Sequence, residues 1–463
     1  MEQIKIVISD LHLGAGRVHE GNRLEDFDQD AAWAELLDGL AAESQRRRAP
    51  VELILAGDIL EFLQVPALPP DEPFDPQRAY PGELYAPSDS ASSLHKLELI
   101  MQGHPRFFEA LAAFLSLAPR RQVCLIKGNH DVNLHWQSVQ DALRAALGAE
   151  GERSDCLAFA ERYISREGIY VEHGNQYLEW VNRWPDFEQP HDAKNPEELY
   201  MPAGSRFVYL FFNEVERQHA WIDGVKPITA LIWYLLALDF PFAVRALRLL
   251  LRLAPTLILD SLPLAWALAR LLEARQQVVD RLDDREQMAA LERNIKERAA
   301  FYNESDAGLE LYGVPREGQP LSHFRAYGHN VLPRGQEEQQ AQRDLLARVA
   351  AQKAAQEGAR VVVMGHVHEA READLPGGAI YINTGTWTWS MDMAGADYAT
   401  WQELFRRPER FVGARRLTYA RIEYDAEGAP SARLLEFTPK PPRRPSLLRS
   451  LVRWMLGKPN RQE

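Results

Sequence analysis

At residues 122–131 the chain reads QVCLIKGNHD, a short apolar run that ends in Gly-Asn-His-Asp. The run is strand-length and rich in residues that suit pleated backbone. Five other stretches share its form: IKIVISD (4–10), ELILAGD (52–58), GIYVEHG (168–174), RVVVMGH (360–366) and AIYINTG (379–385). Each is nearly continuous in apolar residues and ends in a polar cluster with glycine. Such runs mark strands buried on both faces, as in a sheet or sandwich covered by helices. Helical patterns lie between them, at Asp30–Glu43 and Pro105–Leu117. Alternating strand and helix predicts an α/β core. Late in the chain, RRLTYARIEYD (415–425) and ARLLEFTP (432–439) predict a β-hairpin that closes the sheet.

Two regions break this rhythm. Residues 64–93 hold seven prolines (Pro66, Pro69, Pro70, Pro73, Pro76, Pro81, Pro87), which predicts a long irregular excursion. Residues 176–359 have no clear strand run and much helical pattern. Within them, 228–272 is strongly apolar but is interrupted by Asp239, Pro241, Arg245, Arg248, Arg252, Pro255, Asp260 and Pro263. No uninterrupted span of about 20 apolar residues is left to cross a bilayer. This segment reads either as the buried core of a helical insertion or as a lipid-facing surface. Gln276–Asn303 and Glu337–Glu357 read as long charged amphipathic helices. The division expected is a core in two parts, 1–175 and 360–439, a mostly helical insertion or cap at 176–359, and a basic tail at 440–463.

Nearly every core strand ends in a residue type that binds metal. Asp10 and His12 are two apart, so both reach one side of a strand end. Asp58 follows the second strand, and Asn129, His130 and Asp131 follow the third. His173 follows the fourth, and His366 and His368 again stand two apart after the fifth. A lone strand-end Asp is usually a turn former or helix cap. Recurrence at five strand ends is not explained that way. Imidazole, carboxylate and carboxamide oxygen together suit a divalent ion such as Mn, Fe or Zn. The donors are too many for one tetrahedral ion but fit two ions sharing a ligand, with Asp58 able to bridge. His19, His95, His104, His135, His191, His219, His323 and His329 belong to no block and are read as non-ligands. Gly14–Ala15–Gly16 reads as a place where the chain passes near the ions.

The ordered series D-x-H (Asp10, His12), G-D (Gly57, Asp58), G-N-H-D (Gly128 to Asp131), H-G (His173, Gly174) and G-H-x-H (Gly365, His366, His368) resembles the calcineurin-like metallophosphoesterase family. The resemblance covers 4–174 and 360–390 and does not extend to 176–359 or the tail. It implies a double β-sheet sandwich flanked by helices, with the large helical insertion added to it. It also implies two divalent ions, Mn2+ first among them and Fe, Zn or Mg as alternatives. Asp10, His12 and His368 would hold one ion, Asn129, His173 and His366 the other, and Asp58 would bridge. The implied reaction is attack by a metal-bridged hydroxide on a phosphate ester or anhydride. His130 would be the general acid, and Asp131 would orient a histidine.

Composition bounds the substrate and partners. The 463 residues are 46% hydrophobic and 26% charged, as expected of a globular protein. The net charge is −13, and the segment 440–463 alone carries +6, so the rest carries −19. Such a body disfavours nucleic acid as a partner. The tail SLLRSLVRWML (446–456) forms a basic amphipathic stripe, and 443–458 could meet an anionic membrane surface or dock on the acidic body. MEQIKIVISD lacks the marks of a secretory signal, and two isolated cysteines, Cys124 and Cys156, suit a reducing compartment. The location expected is the cytoplasm, with peripheral association at the inner membrane face as an option. The substrate is a phosphorylated small molecule or lipid. An alternative reading is a membrane-associated pyrophosphohydrolase of a lipid or sugar-nucleotide lipid, and one of another class is a non-catalytic metal-binding scaffold.

Overall fold

A computed structural model describes residues 3–440, except 70, 118–119, 178–181, 227, 259–279, 281, 305–339, 341–342, 394–395 and 413–414. The tail stripe at 446–456, the apolar residues 259–272, the predicted helix start at 276–279, and His323 and His329 lie outside the described residues. Thirteen strands form among the described residues. They are β1 (Ile4–Ile8), β2 (Val51–Ala56), β3 (Arg121–Ile126), β4 (Leu157–Ala160), β5 (Arg162–Ser165), β6 (Ile169–Glu172), β7 (Val225–Lys226), β8 (Val361–Met364), β9 (Ala370–Asp374), β10 (Ile380–Thr384), β11 (Met391–Asp392), β12 (Leu417–Tyr424) and β13 (Pro430–Phe437). One sheet has the order β13-β12-β1-β2-β3-β4, a second the order β5-β6-β8-β10-β9, and β7 pairs with β11.

The alternation of side chains explains why the core strands are apolar throughout. Val7, Ile54, Cys124 and Ile126 point into the sandwich and meet Ile169, Val171, Val361, Val363 and Ile382 of the second sheet. Their neighbours Ile6, Ile8, Leu53, Leu55, Val123 and Leu125 face outward into another buried layer. There they pack with Trp33, Leu36 and Leu37 of the helix Asp30–Arg47 and with Phe107, Leu111 and Phe114 of the helix Pro105–Ser116. On the far side, Tyr170, Val362, Met364 and Tyr381 pack on Leu346, Val349 and Ala350 of the helix at 343–357. The architecture is therefore the double-sheet α/β sandwich flanked by helices.

β1, β2, β3 and β4 are mutually parallel, as are β6, β8 and β10. Parallel strands bring their carboxyl ends to a common rim. The hairpin β12–β13 adds antiparallel to the free edge of β1, as its sequence suggested. Strands β4, β5 and β9 were not legible in the sequence, because they are short and their exposed residues break the apolar run. The excursion after residue 64 ends sooner than expected. A helix starts at Ser90, where the Asp89 side chain accepts from the N–H groups of Ala91 and Ser92 at 3.0 Å each. In the insertion, Ile228–Leu238 and Phe240–Ile258 form two helices parted at Asp239, and Arg285–Glu304 forms a third. No helix among the described residues is long and apolar enough to cross a membrane.

Candidate metal centre

Beyond the rim of the first sheet, the loops after β1 and β2 stay zipped together. The N–H of Asp10 donates to Gly57 O at 3.0 Å, those of Leu11 and His12 to Asp58 O at 2.9 and 3.0 Å, and that of Glu61 to Leu13 O at 2.8 Å. Seven described non-glycine residues have positive φ, and five are Asp10 (54°), His12 (52°), Asp58 (52°), His366 (73°) and His368 (57°). Each costs about 1–3 kcal/mol of backbone strain, a burden that gathers at functional sites. The sequence reading aligned Asp10 with His12 through strand alternation. β1 ends at Ile8, and the pair is aligned instead by two left-handed residues around buried Leu11.

Two groups of donors converge, and a third adjoins them. Asp10, His12 and His368 form the first, Asp58, His173 and His366 the second, and His12, Glu61 and His130 the third, with ligand atoms in each group lying within 4.8 Å of one another. His12 Nε2 lies 3.1 Å from His368 Nε2, and His368 Nε2 lies 3.4 Å from Asp10 Oδ1. His173 donates Nδ1–H to Ala56 O at 3.0 Å, which directs its Nε2 toward Asp58 Oδ2 at 2.9 Å and Asn129 Oδ1 at 3.2 Å. Gly365 N–H donates to His173 O at 2.9 Å within the second sheet, and that sheet is stitched to the first by His366 N–H, which donates to Asp10 Oδ2 at 3.0 Å. Asp10, Asp58 and His173 are at most 1% exposed, whereas His130, His366 and His368 are half-buried and face the opening. All seven sequence-derived ligand candidates therefore meet in one place.

Glycine is required where the backbone crosses these carboxylates. A Cβ on Gly128 would overlap Asp58 Oδ1, and one on Gly365 would overlap Asp10 Oδ2 and Ser9 Oγ. The loop Gly14–Gly16 does not serve the ions as expected. Its N–H groups donate to the buried Glu25 carboxylate at 3.2 and 2.5 Å, and Gly16 packs against Gly103. The turn after β10 buttresses the site instead, where Thr386 Oγ1 donates to Asp10 O at 2.7 Å.

Asp131 does not orient a histidine. Its carboxylate accepts from the N–H groups of Gly128 at 2.6 Å, Ile59 at 2.9 Å and Leu60 at 3.4 Å, so it clasps the two metal-facing loops together. The orienting carboxylate is Glu61, which sequence reasoning missed. Glu61 Oε2 lies 2.8 Å from His12 Nδ1 and 2.5 Å from His130 Nδ1. The signal was its place three residues after Asp58, in G-D-x-x-E.

Electrostatics show what the cavity demands. Burial alone would raise the Asp58 carboxyl, but His173, His130 and His12 outweigh it and hold it well below the usual range. Asp10 is lowered in the same way by His368 and His173 against burial, and Glu61 by His130 and His12. Burial lowers His130, yet Glu61 and Asp58 override it and raise the imidazole to about 10. His173 is raised to about 9, with Asp58 overriding burial, while burial and His173 push His366 down to about 3. The buried carboxylates call for compensating positive charge, and an N/O donor set of this kind fits divalent ions.

Residues 6–223 match the family model described as calcineurin-like phosphoesterase. This stretch, just under half of the chain, belongs to the calcineurin-like phosphoesterases. No curated protein matches it. Among solved structures it is similar to a conserved uncharacterized protein of Streptococcus pneumoniae TIGR4, described as a predicted phosphoesterase. That likeness has 11% identity, 94% of this chain and 98% of that chain covered, and a TM-score of 0.22. It is also similar to a dimetal phosphatase of Danio rerio at 10% identity, with 94% and 99% covered and a TM-score of 0.27. The match makes the chain a metal-dependent phosphoester hydrolase.

Proposed function

We propose that the chain hydrolyses a phosphate ester or anhydride at a centre where Asp10, His12 and His368 hold one ion and Asn129, His173 and His366 hold another. Asp58 joins the two, and His130 protonates the leaving group. The convergence of both donor groups, with the Glu61–His130 pair beside them, carries this reading. Divalent ions, Mn2+ first, would supply the charge that clamps a phosphoryl group and activates water for in-line attack. The chain's own residues do the rest. His130 N–H donates to Asp58 Oδ1 at 2.8 Å, which ties the acid to the joining carboxylate. Glu61 keeps the His130 ring charged and directed. Hydrolysis of bis(p-nitrophenyl) phosphate in Mn2+ tests the proposal. Turnover abolished by EDTA and by His130→Ala supports it, and absence of turnover at any metal favours a scaffold.

A second reading, an amphiphilic substrate, is favoured by the space between the excursion and the insertion. A cavity of about 400 Å3 is walled by Tyr209, Phe242, Leu249 and Leu253, with Arg217 and Arg245 lining it beside Glu83 and Glu214, the last paired with Arg217 at 3.4 Å. A neighbouring cavity of about 450 Å3 shares Arg217 and reaches Gln64, three residues beyond Glu61. Apolar walls with guanidinium groups suit a phosphorylated lipid. A panel of nucleotides, phospholipids and sugar-nucleotide lipids tests this. Preference for the soluble nucleotides would remove the lipid reading.

A further inference from the structure

His135 ends a 3-10 turn, Val132–His135, that directly follows the Gly-Asn-His-Asp block. His191 lies in the loop that opens the insertion. Their Nε2 atoms lie 3.1 Å apart, with ring centroids 4.8 Å apart and planes at 84°. The His12–His368 pair of the metal centre has the same Nε2 separation, 3.1 Å, and centroids 4.9 Å apart. A further likeness lies in the other ring nitrogen. His12 Nδ1 is held by Glu61, and His191 Nδ1 must donate to Pro196 O at 2.9 Å because a carbonyl only accepts. A neutral His191 therefore aims its Nε2 lone pair at His135. Both rings are held in place independently. Tyr200 N–H donates to Pro190 O at 2.7 Å and Asp192 N–H to Glu198 O at 3.0 Å, which closes the loop around His191. Val132, Trp184 and Leu199 form a small buried cluster with Trp136 against it, and the Trp136 ring lies 5.3 Å from that of His191. Two imidazoles on one tetrahedral ion, at 2.0–2.1 Å each, place their nitrogens about 3.3 Å apart.

We propose that His135 and His191 form a third metal site, separate from the phosphoesterase centre, which takes a borderline divalent ion such as Zn2+ or Ni2+. Both rings are half-buried, so water completes the coordination shell. His135 feels the Lys127 charge, then the His191 ring and, least, Glu161, which pairs with Lys127 at 3.0 Å. The His135 imidazole stays unprotonated at neutral pH, since burial and Lys127 hold it down to about 4. An ion there pins the first segment of the insertion to the turn that follows His130.

The test is equilibrium dialysis of the full chain against micromolar Zn2+, followed by metal counting. Wild type is expected to hold one equivalent more than His135→Ala or His191→Gln, with bis(p-nitrophenyl) phosphate turnover retained in both variants. Asp58→Ala is expected to keep that extra equivalent while losing the ions of the phosphoesterase centre. Equal metal content in wild type and both histidine variants overturns the proposal and leaves a simple N–H···N hydrogen bond. Failure of Asp58→Ala to lose metal would instead count against the phosphoesterase centre, so the two readings fail separately.

Discussion

His130 Nδ1 sits 2.5 Å from Glu61 Oε2, on a carboxylate that the fold leaves 1% exposed. The same oxygen also holds His12 at 2.8 Å, so one buried charge directs both the proposed acid and a proposed ligand. Glu61→Gln keeps an acceptor for His12 but removes the charge beside His130. We expect kcat on bis(p-nitrophenyl) phosphate to fall by roughly 10–100-fold, with bound metal retained. An unchanged kcat would show that the pair does not serve the reaction.

Asp58 is the one residue expected to join both ions. Asp58→Ala should strip the centre of metal and remove nearly all turnover, read by metal analysis and steady-state rates. A variant that still holds both ions would contradict the bridging role.

Gly128→Ala tests the close approach of backbone to carboxylate. The added methyl would overlap Asp58 Oδ1, so the carboxylate must move. The expected result is weaker metal binding with an unchanged far-ultraviolet circular dichroism spectrum. Normal metal affinity would show that the loop adjusts freely.

His104 offers a pH-dependent stability term far from the ions. It is 2% exposed, with Nε2 3.3 Å from Glu25 and Nδ1 3.2 Å from Asp30. Burial lowers its pKa, but the two carboxylates override this and raise it from 6.5 to about 10. A raised folded value means the contribution is complete below pH 6.5 and is lost as pH climbs through about 10. His104→Gln should therefore destabilise most in acid to neutral solution and least above pH 10, read from urea midpoints. An equal loss at both ends would assign the effect to packing.

Deleting residues 443–463 should leave small-ester hydrolysis intact and lower co-sedimentation with anionic vesicles, as expected of a basic amphipathic segment. Unchanged sedimentation would leave the acidic body of the chain as the tail's partner.

The ordered metal-binding blocks were legible because each core strand must be apolar on both faces until it leaves the sandwich. The first polar residues after each run therefore announce the rim. Asp10, His12, Asp58, Asn129, His173, His366 and His368 could be picked out from that change alone, and parallel strand order carries them to one edge. What a carboxylate touches once there depends on contacts remote in sequence, and only tertiary structure decided it. Asp131 turned toward three backbone N–H groups, while Glu61, on an ordinary-looking turn, took both His12 and His130. The pairing of His135 with His191 was equally invisible, because it joins a core turn to a loop of the insertion. Periodicity reports which face a residue lies on, whereas the partner across a gap is fixed only when separate elements pack.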